Sequence, residues 1–396
     1  MIKRQCVVRD FFGEAEAMRQ SLDDCFKNTY TQKVNWQYYC DPQIYTYLRT
    51  APREVLPEAV FSRFMTRLRQ WCMDNLGLVP VGMPFVHLMV NGCRLGLHSD
   101  FHNGAWGYVY SLTRWEGRKF TGGETLLLRD GIPSYKRHHV HADALFELIP
   151  AHFNQLLVFD DRIVHATPTI EGSMNPLDAR IALVGHIRAT SPVVVGEISG
   201  AQVRKVILEA LPRIRDRIRN YRDVQGTITY RLTVGGNGSV DALTTLTENI
   251  ITPSVGYDHS DAVTAVKSIV QQEMSGLRFP PSPSSKSFIT VPVLIPIPDL
   301  RPIELEISHN TSRDQIVQWT ATHMAQEDER GLWGSWDGDT LVVHEPVFGW
   351  IRVEPKRIAV SFDPPMWVPS QRESFQSFLS EWVRRATGAD AKVETR

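Results

Sequence analysis

The sequence predicts a β-rich first domain with flanking helices, followed by two small α+β domains. Three observations predict it. From residue 85 to 188, short apolar runs alternate with Gly, Pro and Asn turns, the pattern of strands. Ahead of that stretch, Val60, Phe61, Phe64, Met65, Leu68 and Trp71 recur at helical spacing. Beyond residue 200, apolar helical stripes and alternating strands follow one another without a tandem repeat. A chain of 396 residues fits two or three domains. We expect them at 1–190, 200–298 and 299–396.

Within the first segment, Cys6, Val7 and Val8 read as a short strand, and helices are expected near 15–26 and 57–75. In the second, Val203, Ile207, Leu211, Ile214, Ile218 and Tyr221 form a helical stripe with Pro212 as a kink. Ile228, Tyr230, Leu232 and Val234 then alternate with polar residues, and Gly235-Gly236-Asn237-Gly238 signals a hairpin. In the third, Ile303, Leu305 and Ile307 alternate, and Ser312 with Gln315 forms a capping-box signal. Trp336-Asp337-Gly338-Asp339 reads as a turn between strands. Phe375, Phe378, Leu379 and Trp382 form the face of a final helix, and residues 387–396 are expected to fray.

The formal net charge of −1 gives the chain no basic field for nucleic acid and no polybasic anchor. No apolar run reaches the roughly 18 residues of a membrane span, and the N-terminus has no signal-peptide core. The five cysteines are widely spaced and form no C-x-x-C pair, which suits free thiols in a reducing compartment. A cytoplasmic enzyme without a nucleic-acid or membrane partner is the expectation.

The chemistry concentrates at His98, Asp100, His165 and Arg180. On a strand, residues i and i+2 share a face, so His98 and Asp100 point into one cavity. With His165 from another strand they make a two-histidine, one-carboxylate set, which suits a non-haem Fe(II) oxygenase and leaves coordination positions open. Arg180 shares a strand face with Ala182, Val184 and His186, facing the interior. A guanidinium there can hold a carboxylate through paired hydrogen bonds.

The run Gly92-Cys93-Arg94-Leu95-Gly96-Leu97-His98-Ser99-Asp100 resembles the G-x-x-L-x-x-H-x-D run of the prolyl-hydroxylase-like 2-oxoglutarate/Fe(II) dioxygenase family. Phe120-Thr121-Gly122-Gly123-Glu124-Thr125 is similar to its F-x-G-G-E-T turn. Ile149-Pro150, Phe153-Asn154 and Phe159 resemble the strand before the distal histidine, and Arg180-Ile181-Ala182-Leu183 the closing strand. The resemblance covers about residues 5–188. It implies a double-stranded β-helix (jelly-roll) with His98, Asp100 and His165 on Fe(II) and Arg180 on the distal carboxylate of 2-oxoglutarate. It further implies dioxygen as co-oxidant, ascorbate as a reductant, and succinate as co-product of hydroxylation. Asp100 favours hydroxylation, desaturation or cyclisation over halogenation, because halogenating relatives carry Gly or Ala at that position.

The chain departs from the family pattern in three places. Met89 stands where many relatives carry a tyrosine that bonds the cosubstrate, so another donor is needed; Tyr108, Tyr110 and Thr113 are the candidates. His186 stands where a tryptophan is usual. The gap between His165 and Arg180 holds an inserted loop with Gly172 and Pro176. The expected substrate is an amino-acid residue of a peptide or protein. The alternatives are a small biosynthetic intermediate, or a scaffold role without turnover.

His138, His139 and His141 read as a substrate-facing loop or a second metal site. Trp36, Tyr38 and Tyr39 read as core packing or an aromatic lid. Arg213, Arg215, Arg217, Arg219 and Arg222 read as a solvated helix face. Residues from about 202 to 298 resemble a TonB-like C-terminal domain through Gly226-Thr227-Ile228, Gly238-Ser239-Val240 and Phe279-Pro280. Residues from about 301 to 388 resemble the polyhydroxyalkanoate granule-system family through Ile307-Ser308-His309, Trp336-x-Gly338-Asp339 and Gly349-x-Ile351-x-Val353. These resemblances imply modules for protein contact, so a protein partner is expected through them.

Overall fold

The structure is a computed structural model. It describes residues 4–27, 34–41, 43–100, 103–129, 145–188, 192–252, 260–282, 286–298, 302–325, 333–345, 349–362, 377, 380–382, 384–387 and 393–395. The chain divides into two compact units. One comprises the described residues of 4–74 and 80–188, the other those of 75–79 and 189–396. None of the described helices is long and apolar enough to cross a membrane.

The first unit carries strands β1 (Gln5–Val8), β2 (Gln37–Asp41), β3 (Tyr45–Thr50), β4 (Val79–Met89), β5 (Arg94–His98), β6 (Trp106–Ser111), β7 (Phe120–Thr121), β8 (Thr125–Leu128), β9 (Phe146–Ile149), β10 (Gln155–Asp160), β11 (His165–Thr167), β12 (Glu171–Gly172) and β13 (Arg180–Arg188). Ten of them form one hydrogen-bonded path, β1-β10-β6-β13-β4-β3-β5-β11-β8-β9, with β2 pairing to β3. The path curls back on itself. Arg180 at the start of β13 donates from Nε to the Gly123 carbonyl at 2.7 Å, just before β8 on the far side of the path. This is a jelly-roll-like core.

Helices α1 (Ala15–Lys27) and α2 (Glu58–Asn75) form where their apolar residues recur along one face, and that face is buried. Phe64 of α2 packs on Tyr110 of β6 with ring centroids 4.6 Å apart, and Phe11 lies 5.9 Å from the same ring. Arg19 of α1 is fully buried. It pairs with Asp23 at 2.8 Å and donates to the carbonyls of Leu112 at 3.0 Å and Leu177 at 2.6 Å, tying the helix to the chain at both points.

The second unit holds two antiparallel sheets. One, in the order β14 (Val193–Val195), β17 (Ser287–Ile295), β15 (Gly226–Val234), β16 (Val240–Glu248), buries its apolar side with α3 (Gly200–Ile218) and α4 (Ser260–Ser275). The expected hairpin lies between β15 and β16, closed by Gly235 N–H on the Ser239 carbonyl. The other sheet runs β19 (Trp333–Asp337), β20 (Thr340–Glu345), β21 (Gly349–Val353), β22 (Arg357–Phe362), β18 (Ile303–Ser308), β23 (Val393–Thr395). It has its own core around Leu305, Ile351, Val360 and Phe362, and Ser312 caps α5 (Arg313–Ala325) through Gln315 as its spacing predicts. The end of the chain corrects one expectation. Residues 393–395 do not fray but pair as a strand with Leu305, Glu306 and Ile307. Of the expected final helix, Phe375, Phe378 and Leu379 lie outside the described residues, and Trp382 packs into this core.

Candidate metal centre

β5 ends on His98, and β11 begins on His165; the two are direct cross-strand partners. Their ring centroids are 4.2 Å apart. Asp100 lies just past the strand end, where its backbone N–H donates to the Asp161 carbonyl at 2.9 Å. Its Oδ2 is 3.6 Å from His98 Nε2 and 3.5 Å from His165 Nε2. One donor atom from each of the three residues lies within 4.8 Å of the others.

The hydrogen bonds on the far side of each ring fix what these nitrogens can do. His98 Nδ1 meets the Gly96 carbonyl at 2.8 Å, and His165 Nδ1 meets the Ile163 carbonyl at 2.9 Å. A carbonyl only accepts, so each Nδ1 carries a proton and each Nε2 is left facing the Asp100 carboxylate, as a proton donor in the metal-free site or a lone-pair donor to an ion. Two imidazole lone pairs and one carboxylate oxygen are the donor set of a non-haem iron site, with the outer nitrogens oriented as metal-ligating histidines require. The side chains fit such an ion. Burial alone would raise the Asp100 carboxyl, but hydrogen bonds from His165 and His98 hold it well below the usual carboxylate range. Burial would lower His98, yet the bonds to Asp100 and the Gly96 carbonyl leave it raised. The edge of Phe159 packs on His165 at 4.7 Å and shields that side.

Arg180 is 3% exposed. Beyond Gly123, its guanidinium meets, among the described residues, the Met89 sulfur at 3.5 Å and the Thr125 hydroxyl at 3.5 Å. No carboxylate among the described residues pairs with it. Burial pushes it down to about 10, opposed by the more distant Glu124, which itself lies 3.8 Å from Arg118. A buried guanidinium without an anion is costly unless one arrives from outside. The glycine pair before β8 allows this close approach. Gly122 and Gly123 have φ of +76° and +80°, and a Cβ on Gly122 would lie 2.1 Å from the Thr169 carbonyl oxygen.

Three further polar side chains line the same interior. His87 of β4 stacks on Tyr47 of β3 with centroids 4.4 Å apart. Burial, then the neighbouring Arg180 and Arg49 guanidiniums, push it down to about 3, so it is neutral. His186 of β13 points its Nδ1 at Asp161 Oδ2, 3.0 Å away. Asp161 is fully buried, its Oδ1 has no hydrogen-bond partner among the described residues, and burial raises it to about 6 against the pull of His186. Gly107 makes room for it, since a Cβ there would lie 2.4 Å from Oδ1. Asp100, Asp161 and His186 also place donor atoms within 4.8 Å of one another.

The structure brings His98, Asp100 and His165 together and turns Arg180 and His186 inward. It does not bring Tyr108, Tyr110 or Thr113 into the cavity. Tyr110 faces the helices, and its hydroxyl donates to Asn154 Oδ1 at 2.8 Å. Tyr108 is two residues away on the same face and is buried near Cys72 of α2. Thr113 Oγ1 donates to the Ile181 carbonyl and accepts from the Ile181 N–H, both at 3.0 Å. The three therefore correct the expectation of a cosubstrate donor there. The residues the sequence reading passed over are His87 and Asp161. The signal for His87 was its position two before Met89, on the same strand face; Asp161 carried no such signal.

His138, His139 and His141 lie outside the described residues. Trp36 stacks on Phe26 at 5.7 Å, Tyr39 stacks on Tyr47 at 5.7 Å, and Tyr38 is exposed. Arg213 and Arg217 pair with Glu273 at 3.2 Å and 2.9 Å, as a solvated helix face would.

The sequence matches no protein-family model and no curated protein. Among solved structures, the chain is similar to a Pseudomonas putida prolyl-4-hydroxylase, with a TM-score of 0.33 and 16% identity over 47% of this chain and 93% of that one. It is similar to a Trichoplax adhaerens prolyl hydroxylase in complex with a hypoxia-inducible-factor peptide fragment, with a TM-score of 0.33 and 15% identity over 46% of this chain and 81% of that one. A third is SnoN, a non-haem α-ketoglutarate-dependent epimerase from nogalamycin biosynthesis, with a TM-score of 0.34 and 12% identity over 47% of this chain and 77% of that one.

Proposed function

We propose that the first unit is an Fe(II)- and 2-oxoglutarate-dependent oxygenase that hydroxylates a C–H bond. The observation that carries this reading is the convergence of two Nε2 lone pairs and one carboxylate oxygen on a single point, with the far nitrogen of each ring locked on a carbonyl. His98, Asp100 and His165 would hold the ion. Bound iron supplies the activation of dioxygen, with 2-oxoglutarate as the co-reductant. Arg180 holds the far carboxylate of the 2-oxo acid, a role supported by its having no carboxylate partner among the described residues. Ile163 and Gly96 orient the two imidazoles through their carbonyls, and Phe159 excludes water beside His165.

The substrate class follows from sequence resemblance: an amino-acid residue of a peptide or protein, with a small biosynthetic intermediate as the alternative. The two sheets of the second unit are proposed as separate modules, bounded near residues 200 and 299, for docking a protein partner or presenting substrate. Anaerobic Fe(II) with 2-oxoglutarate should give the full chain a weak visible charge-transfer band, and aerobic incubation should yield succinate together with substrate that has gained one oxygen. Absence of the band at saturating 2-oxoglutarate would leave a binding scaffold. Oxidation in a metabolite extract with a peptide library untouched would select the small-molecule alternative.

A further inference from the structure

Four neighbouring strands, β2, β3, β4 and β13, carry one row of side chains across the inner face: Tyr39, Tyr47, His87 and Arg180. His87 is the cross-strand partner of Arg49, whose guanidinium folds away over the Tyr39 and Phe85 rings at 3.7 Å and 4.2 Å. Met89, two residues on and on the same face, reaches Arg180 with its sulfur. Val86 and Leu88, on the opposite face, are buried. The His87 imidazole is held in place by its stack on Tyr47, yet neither ring nitrogen has a hydrogen-bond partner among the described residues, and the side chain is only half-buried. An oriented polar ring on the strand beside Arg180, with no bond to either nitrogen among the described residues, is free to take one to a ligand.

Taking the first unit to be the 2-oxoglutarate-dependent oxygenase proposed above, we infer that His87 is the second hydrogen-bond donor to the 2-oxo dicarboxylate held by Arg180. A donor on the strand beside Arg180, in addition to the Thr125 hydroxyl at its guanidinium, would fix the tilt of the carboxylate that Arg180 holds. The thioether of Met89 can donate nothing, Tyr110 and Thr113 are hydrogen-bonded elsewhere, and Tyr108 is buried on the face away from the cavity. His87 lies within electrostatic reach of both Arg180 and Asp100, which puts it alongside a ligand stretched between them. Burial, with two neighbouring guanidiniums, keeps the ring neutral, with one N–H for a carboxylate oxygen and no further positive charge to desolvate.

The test is calorimetric titration of 2-oxoglutarate into the full chain loaded with Mn(II), which carries out no turnover. His87→Phe keeps the aromatic stack and loses both nitrogens; it should bind 2-oxoglutarate about ten-fold more weakly. His87→Gln restores a donor and should come within about three-fold of the unaltered protein. Mn(II) affinity measured without 2-oxoglutarate should be the same in all three. Unchanged 2-oxoglutarate affinity in His87→Phe would overturn the inference. So would a His87→Gln protein as weak as His87→Phe, which would assign the ring to packing on Tyr47. A loss of Mn(II) affinity in His87→Phe would also overturn it, by moving His87 to the metal. An unaltered protein that takes up Mn(II) but no 2-oxoglutarate would overturn the oxygenase reading itself, and this inference with it.

Discussion

His165 lies directly across from His98 in the pairing of β11 with β5, so one antiparallel ladder sets both imidazoles at the same height over the Asp100 carboxylate. Strand pairing alone fixes their separation, and the Asp100 backbone N–H on the Asp161 carbonyl sets the third donor just past the strand end.

Loss of any of the three should therefore remove the metal. Replacing outer partners of metal ligands costs about 10–100-fold in affinity, so His98→Ala, Asp100→Ala and His165→Ala should each weaken Mn(II) or Fe(II) binding by more than about 100-fold. Metal content after anaerobic loading and desalting measures it.

Arg180 should separate cosubstrate binding from metal binding. Arg180→Lys keeps a charge but loses the Nε anchor on Gly123 and the planar fork. It should weaken 2-oxoglutarate binding about 10–100-fold with metal affinity unchanged. Titration of the charge-transfer band reads the first and metal content the second.

Arg19 carries stability rather than chemistry. Arg19→Met would leave Asp23 partly buried beside Arg114 at 3.5 Å and would strip the Leu112 and Leu177 carbonyls of a donor. Breaking a buried pair of this kind costs about 3–5 kcal/mol. A clear fall in the urea midpoint of the first unit, followed by its tryptophan fluorescence, is the expected result.

Asp161 should give the metal-free protein an inverted pH response. Its carboxyl is raised to about 6 in the fold, against about 3.9 for a free aspartate. Between those values the native state binds more protons than the unfolded chain, so stability falls as pH rises. Relative to Asp161→Asn, the unaltered protein should lose thermal stability from about pH 4 to about pH 6 and change little above that. Scanning calorimetry of both proteins across this range checks the sign; a difference that does not vary with pH would refute it.

Much of the site could be read from the chain because its signals are local. The two-residue period of a strand puts Arg180 and His186 on one face whatever lies around them, and the glycine pair at 122–123 announces a turn that needs positive φ. The same period says which residues share a face but not which face is inside. Tyr108 and Tyr110 illustrate this: they pair correctly with each other but face α2 and Phe11 instead of the cavity.

The sequence by itself determined the ligand types, their order, the alternation of strands and the hairpin at 235–238. Only the tertiary structure decided that β13 lies beside β4, and that the curled sheet brings β8 over both. That order sets Met89 and His87 next to Arg180, and leaves a buried guanidinium with no carboxylate paired to it among the described residues. The reason is physical. Side-chain direction along a strand follows from backbone geometry, whereas neighbours across a sheet follow from which faces of the whole chain could be buried together.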